Sequence, residues 1–284
     1  MEIYLRKFIP HLNPAIKKII YQVYKIYAFI RYAHYFNKFL FFRGIYINVG
    51  RDISMLPAIK LNIYEKTELD FLESIQPQAN SVFWDIGANV GLYSILFAKL
   101  NPTWKIYSFE PNSEVHKKFH KNIKFNNIKN IQLIPLALSD SKEKVSLRIN
   151  QNRLGTSSIY SKTGKFVHSK IIECISGDEL FLSGKISAPD LIKIDVEGYE
   201  LKVLNGLKII VSNCMPVIAI EVAINVWKSP NEFDLYLNYL NDLLLIYNSG
   251  ILITNGTQEK IFSLDAKHIN NSIQTLILVP PKRD

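Results

Sequence analysis

From residue 80 onward the chain alternates between short, nearly continuous apolar runs and longer segments whose apolar residues recur every three or four positions. The first kind reads as strands buried on both faces, the second as helices with one buried stripe. The runs fall at 81–86 (SVFWDI), 105–109 (KIYSF), 131–138 (IQLIPLAL), 191–196 (LIKIDV) and 217–222 (VIAIEV), with further strands near 246–254 and 274–279. Helices are predicted over 92–100, after a cap at Asn112 with Val115, Phe119 and Ile123 on one face, through Leu201, Leu204 and Leu207, and over 233–245. This alternation predicts an α/β fold, a mostly parallel, doubly wound sheet with helices on both faces. In such sheets ligands bind beyond the C-terminal ends of the strands, where the strand order switches. Residues 140–188 interrupt the pattern. They are rich in Ser, Gly and Lys, carry strand-like pieces at 144–149 and 167–175, and read as an insertion over that same end of the sheet.

The first 75 residues are organised differently. Ile16, Ile19, Ile20, Val23, Tyr27 and Ile30 share one face of a predicted helix whose first turn takes Pro14, while Lys17, Lys18 and Lys25 fall on the other side. Two roles fit this pattern. One is a helical cap that packs its apolar face on the body; the other is an interfacial helix that rests the face on an anionic membrane surface. Residues 1–43 hold eight Lys or Arg against Glu2 alone, a net +7, and twelve of the 31 Tyr and Phe residues. The other 241 residues contribute only +2 of the total +9. The chain therefore reads as a basic, aromatic arm over 1–75 and a nearly neutral body over 76–284, without a surface-wide polyanion site.

At 284 residues and 48% hydrophobic content the chain can bury a core without disulfides. Cys174 and Cys214 are its only cysteines, which argues against a disulfide framework or cysteine zinc site and for a reducing compartment. No run of eighteen apolar residues occurs, and the N-terminus lacks a signal peptide's apolar core. The expected location is cytoplasmic, with the arm peripheral on the inner membrane.

The candidate chemistry sits at the strand ends. Asp85-Ile-Gly87-Ala-Asn89-Val-Gly91 follows a strand and opens a helix, and its glycines permit a tight turn and close approach to a ligand. Glu110 ends the next strand, 25 residues after Asp85, where a carboxylate can accept hydrogen bonds from two ribose hydroxyls. The pair reads as a nucleoside site. A phosphate-binding loop would need Gly-Lys-Ser/Thr, which is absent, and Asp85 stands where a dinucleotide fingerprint has its first glycine. An acid in this turn repels a pyrophosphate and suits a cofactor bearing an ammonium and a sulfonium, which points to S-adenosylmethionine. An NAD-dependent sugar-modifying enzyme and a catalytically inactive S-adenosylmethionine-binding module are the alternatives.

Four segments carry a family resemblance: 85–91 followed by Ser94, then Phe109-Glu110-Pro111, then Ala137-Leu138-Ser139-Asp140, and finally Ile192-Lys193-Ile194-Asp195-Val196-Glu197-Gly198-Tyr199-Glu200. Over roughly residues 80–225 the chain resembles the FkbM-type methyltransferases, most specifically in its Asp-Val-Glu-Gly-Tyr-Glu segment. The resemblance implies a class I methyltransferase with a Rossmann-like seven-stranded sheet, and methyl transfer from S-adenosylmethionine to a hydroxyl, commonly of a sugar or natural product. On that pattern Asp85, Gly87, Asn89, Gly91 and Ser94 belong to the cofactor site around the methionine moiety, with Glu110 on the ribose. Ala137, Leu138 and Ser139 are expected near adenine, and Asp195 at the methionine end or reacting centre. A surface polysaccharide or lipid-linked glycan precursor as acceptor would account for the arm.

A sugar hydroxyl is a poor nucleophile, so a general base is expected. Asp195 and Glu197 are the candidates, with Glu221 third. These acids could instead hold a divalent cation, a less favoured reading because no His accompanies them in ligand spacing. His116 and His120 are spaced i, i+4 but read as a solvated helix face; His168 is an outside candidate for the base. Arg153, Ser157 and Ser158 either line the acceptor pocket or form a turn, and Glu200 reads as charge compensation at a helix N-terminus. Nucleic-acid methylation is poorly supported. The only Pro-Pro lies at 280–281, and neither cysteine follows a proline.

Overall fold

Pro14 occupies the first turn of helix α1 (Pro14–Tyr32), where its missing N–H leaves no hydrogen bond unmade. The computed structural model describes residues 13–75, 78–149, 159, 168–227, 229–265, 268–269 and 273–281. A hairpin of β1 (Leu40–Phe42) and β2 (Ile45–Ile47) follows α1, turning through Arg43 and Gly44, and leads into α2 (Met55–Lys60) and α3 (Lys66–Ser74). The alternation then begins: β3 (Val82–Ile86), α4 (Leu92–Leu100), β4 (Lys105–Phe109), α5 (Ser113–Phe125) and β5 (Ile131–Ile134). Next come β6 (Ala137–Ser139), β7 (Glu143–Ile149), β8 (His168–Ser176) and α6 (Gly177–Leu182). It resumes with β9 (Leu191–Ile194), α7 (Glu200–Asn205), α8 (Lys208–Cys214), β10 (Val217–Val222) and α9 (Pro230–Tyr247). Strands β11 (Gly250–Thr254), β12 (Thr257–Ile261) and β13 (Gln274–Leu278) complete the chain.

The main sheet has eight strands in the order β12-β11-β13-β10-β9-β3-β4-β5. From β10 to β5 neighbouring strands are parallel, while β13 runs antiparallel between β10 and β11. The expected doubly wound, mostly parallel sheet is therefore present, with β12 as an eighth edge strand beyond the seven expected. Its sequence, TQEKI, is exposed at all but its last residue and gives no apolar signal. Successive strand residues serve opposite faces. Trp84, Ile86, Tyr107, Ile192, Ile194 and Ile220 pack under α7, α8 and α9, while Phe83, Ile106, Leu191, Ala219 and Ile277 pack on the face covered by α4. Leu40, Phe42, Ile45, Leu56 and Leu69 join the second cluster, so the hairpin, α2 and α3 share the body's core.

Three expectations are corrected. The 131–138 run is two strands: β5 ends before Pro135, which cannot donate to a ladder, and β6 joins β8 and β7 in a separate three-stranded sheet. The helix through Leu201, Leu204 and Leu207 is two short ones, α7 and α8. The arm's apolar face does not pack on the body. Ile16, Ile19, Val23, Ile26 and Ile30 are exposed, and among the described side chains of α1 Ala28 and Tyr32 are buried. Among the described residues, no helix is long and apolar enough to cross a membrane.

Candidate active site

Because β4 and β9 flank β3 on opposite sides, the strand order switches there, and the loops leaving β3, β4 and β9 border one crevice. The loop after β3 is held by its neighbours' backbones. The Gly87 and Ala88 N–H groups both donate to the Phe109 carbonyl, at 3.0 and 3.1 Å, and the Asp195 N–H donates to the Ile86 carbonyl at 3.0 Å. Gly87 adopts φ +87°, and a Cβ there would lie 1.9 Å from the Asp195 carbonyl oxygen, so no other residue fits without moving the loop after β9. Gly91, at φ +84°, meets the Phe119 ring in the same way, 2.1 Å from where a Cβ would stand.

A cleft opens at these loops, lined by Gly87, Asn89, Glu110, Asp195 and Glu197. Ala137, Leu138 and Leu147 of the small sheet line it as well, as does Tyr199. Glu110 is fixed by two backbone donors: the Asn89 N–H reaches its Oε2 at 2.8 Å and the Asn112 N–H its Oε1 at 2.7 Å. Burial pushes the Glu110 carboxyl up to about 7 against the pull of these two hydrogen bonds. The buried Asn89 side-chain oxygen has no hydrogen-bond partner. Asn89 and Glu197 hold the left-handed backbone conformation, at φ +50° and +55°. For Glu197 that is a strained choice, of the kind that collects at functional sites.

Other predicted site residues sit behind this wall. The Asp85 carboxylate is enclosed and accepts from the Ser94 N–H at 3.1 Å and the Ser94 hydroxyl at 2.5 Å, so it holds the start of α4. Burial pushes it up to about 6. Ser139 is buried with its hydroxyl 3.0 Å from Glu143 Oε1 and 3.1 Å from the Tyr199 hydroxyl. Glu200 accepts from the Gly198 and Val196 N–H groups at 3.1 and 3.2 Å, and therefore braces the loop carrying Glu197. His116 Nε2 lies 2.7 Å from the Glu110 carbonyl, and His168, the outside candidate for the base, has its Nε2 2.7 Å from Glu114 Oε1; neither lines the cleft. Arg153, Ser157 and Ser158 lie outside the described residues.

At the reacting end the structure adds groups that sequence reasoning missed. Lys193 is buried in β9, 2.8 Å from Asp195 Oδ2 and 4.4 Å from the centre of the Tyr93 ring. The Tyr93 hydroxyl lies 2.6 Å from Glu65 Oε2 and 2.8 Å from Glu68 Oε1, donating its one proton to one of them, and the Thr275 hydroxyl reaches Glu68 Oε2 at 2.6 Å. Glu221 does not line the cleft; its carboxyl is hydrogen-bonded to Asp195. Burial would raise Asp195, but the Lys193 charge and the bond from Glu221 outweigh it and hold the carboxyl below its usual range. Burial, followed by the Asp195 charge, drives Glu221 well above its ordinary value. Of the two, Asp195 is thus favoured as the carboxylate and Glu221 as the acid. Lys193 was legible in one respect, as a charge inside an otherwise apolar strand.

Among the described residues no three His, Cys, Asp or Glu side chains gather to hold a metal ion. The positive charge against Asp195 is Lys193's own.

Residues 85–244 match the family model of the methyltransferase FkbM domain. A hexuronic acid methyltransferase of Haloferax volcanii, AglP, is 33% identical over 135 residues, covering 46% of this chain and 52% of that protein. Methyltransferase 1 of Beauveria bassiana is 24% identical over 173 residues, covering 53% of this chain and 70% of its own. The chain thus aligns with about half the length of the first of these relatives. Among solved structures, the FkbM methyltransferase of Methylobacillus flagellatus aligns over 90% of this chain and 59% of its own, with a TM-score of 0.46 and 17% identity.

Proposed function

The chain belongs to the FkbM methyltransferase domain family, and from that premise we propose that it is an S-adenosylmethionine-dependent O-methyltransferase acting on a hydroxyl of a saccharide or glycoconjugate. The observation that carries this reading is one cleft that joins a nucleoside edge, Gly87, Asn89 and Glu110, to a carboxylate kept ionised by a buried lysine. The residues fit the cofactor. The unpartnered Asn89 oxygen calls for a donor, as an ammonium or hydroxyl would supply, and each Glu110 oxygen has room beyond its one backbone bond. The apolar edge of Ala137 and Leu138 suits a purine face.

When bound, S-adenosylmethionine supplies an electrophilic methyl carbon on a sulfonium sulfur. The chain has to place an acceptor oxygen in line with it, and such positioning contributes about 7–11 kcal/mol. As that oxygen gains the methyl carbon, its proton passes to Asp195, whose carboxylate lines the cleft in ionised form. Glu197, which also lines the cleft, is the second candidate for this role; Glu221, expected third, is set aside because it lies off the cleft against Asp195 and burial favours its protonated form. General-base help of this kind contributes roughly 10²–10⁴-fold. No step passes through a divalent cation, because the site's charge compensation is already built in.

AglP, named for hexuronic acid methylation, supports a saccharide acceptor. A surface polysaccharide or a lipid-linked glycan precursor, met at the inner face of the membrane, is the acceptor class proposed. The test is calorimetric titration with S-adenosylmethionine, S-adenosylhomocysteine and NAD, followed by transfer of labelled methyl to uronic-acid-containing oligosaccharides. Binding of the first two and label in a methyl ether are expected. Binding of NAD alone, or label in no saccharide, would overturn the reading.

A further inference from the structure

Helix α1 turns its apolar side away from the protein. At about 100° per residue, Ile16, Ile19, Val23, Ile26 and Ile30 form one stripe. These residues are 48, 64, 61, 63 and 72% exposed, whereas Ala28 and Tyr32, on the opposite side, are 0 and 8% exposed and meet the body. An amphipathic helix of a water-soluble domain buries its apolar stripe; this one presents it. The hairpin that follows repeats the arrangement. In β1 and β2 the outer positions are aromatic, Phe41 at 63% and Tyr46 at 45% exposed, and Tyr46 packs edge-on against the exposed Phe125. Between Glu2 and Asp52 the chain carries nine Lys or Arg and no acid; Arg43 is taken up by Asp70 and Glu73, while Arg31 and Lys38 are exposed.

We propose that this surface docks on an anionic lipid bilayer, with the α1 stripe in the acyl boundary and the basic residues among the headgroups. Two features select this occupant. A stripe of isoleucines needs an apolar medium, and a segment with no acid needs anionic groups beside that medium; the surface of an acidic bilayer supplies both within a few ångströms. A second copy of the same face would bring the basic segments together. The inference rests on the arm alone and holds whatever group the cleft transfers.

The test is flotation of the full-length chain with phosphatidylcholine vesicles, with and without phosphatidylglycerol. Binding is expected on the mixed vesicles, weaker on neutral ones and weakened by salt. The Ile19→Asn/Ile26→Asn variant should bind about tenfold or more weakly, because less apolar area enters the interface, and Arg31→Gln/Lys38→Gln, at two exposed basic positions, should lose about as much through its charges. Circular dichroism and a melting curve verify that the variants fold. A second measurement is independent of any loss of binding. In Ile26→Trp the added indole emission should shift to the blue on mixed vesicles, against the background of the parent's own three tryptophans. No binding by the parent, equal binding by the variants, or an unshifted indole would each overturn the proposal. So would sedimentation showing a dimer that Ile19→Asn/Ile26→Asn dissolves, which would assign the stripe to a second copy of the chain.

Discussion

The Lys193 ammonium and the Asp195 carboxylate meet at 2.8 Å although their residues are two apart in sequence, one the buried third residue of β9 and the other just beyond the strand's end. The contact ties the sheet interior to the cleft, and it sets the ionisation of the group proposed to take the acceptor's proton. Lys193→Met leaves Asp195 buried without its counter-charge, and breaking such a pair costs about 3–5 kcal/mol. Asp195 escapes part of that penalty by holding a proton. The acid limb of the kcat–pH profile should therefore move to higher pH, with activity partly recovered in alkaline buffer. An unmoved limb would show that Lys193 has only a packing role.

Asp195→Asn removes the proposed base and preserves its volume. We expect kcat to fall by roughly 10²–10⁴ while S-adenosylhomocysteine affinity stays within severalfold. Glu197→Gln is the paired measurement. If both variants turn over at the parent rate, the base lies elsewhere.

Glu110 sits in the cleft at about 7, raised by burial. Its ionised form is the better acceptor for two hydroxyls. S-adenosylhomocysteine should therefore bind more tightly as pH rises through that value and level off above it, with at most tenfold per pH unit on the acid side. Titration calorimetry across the range measures this. The slope should vanish in Glu110→Gln; a slope that survives belongs to another group.

Glu200 is also raised to about 7 by burial, and one of its oxygens has no hydrogen-bond partner. The folded state holds this proton more tightly than the unfolded chain does, so the associated stability is complete below the unfolded value of 4.5 and lost as pH rises through about 7. The ionised form then costs on the order of 3 kcal/mol. Glu200→Gln retains a carbonyl for the Val196 and Gly198 N–H groups and removes the charge. Its melting temperature should gain more on the parent at pH ~8 than at pH ~5, by linkage. Equal gains at both would show that the charge plays no part.

Gly87→Ala forces a Cβ to within 1.9 Å of the Asp195 carbonyl at a φ of +87°. Backbone strain alone costs about 1–3 kcal/mol, and the displaced loop should lose S-adenosylhomocysteine binding. Gly184→Ala is the control, with φ +69° and nothing within 4 Å of the new Cβ. It should melt slightly earlier and bind normally. Similar damage in both variants would reduce the Gly87 effect to strain.

The alternation after residue 80 was legible because a parallel sheet buries both faces and writes its strands as unbroken apolar runs. The cleft wall was legible for the same reason, since the glycines and Glu110 stand at the ends of those runs. Three things were not. Edge strand β12 is solvated at all but its last residue and carries no pattern. Asp85 reads as a ligand-facing acid, yet Ser94 closes over its carboxylate, a contact that exists only once α4 has formed. The environment of Lys193 is assembled from Glu65, Glu68, Tyr93 and Asp195, which come from separate elements and meet only in the fold. One clue in the sequence was available: Pro135 inside the 131–138 run marks where the chain leaves the main sheet.

The 1.9 Å approach of a Gly87 Cβ to the Asp195 carbonyl makes each of these two loops the mould for the other. Neither can be retooled alone. Diversification at position 87 would return mostly dead enzymes, since any side chain there meets the Asp195 main chain, which has no bulk to surrender. Selection for a new acceptor would instead act on parts that touch the cleft without sharing this joint or the proposed purine edge, such as Leu147. The chemistry of the scaffold is locked at its centre and negotiable at its rim.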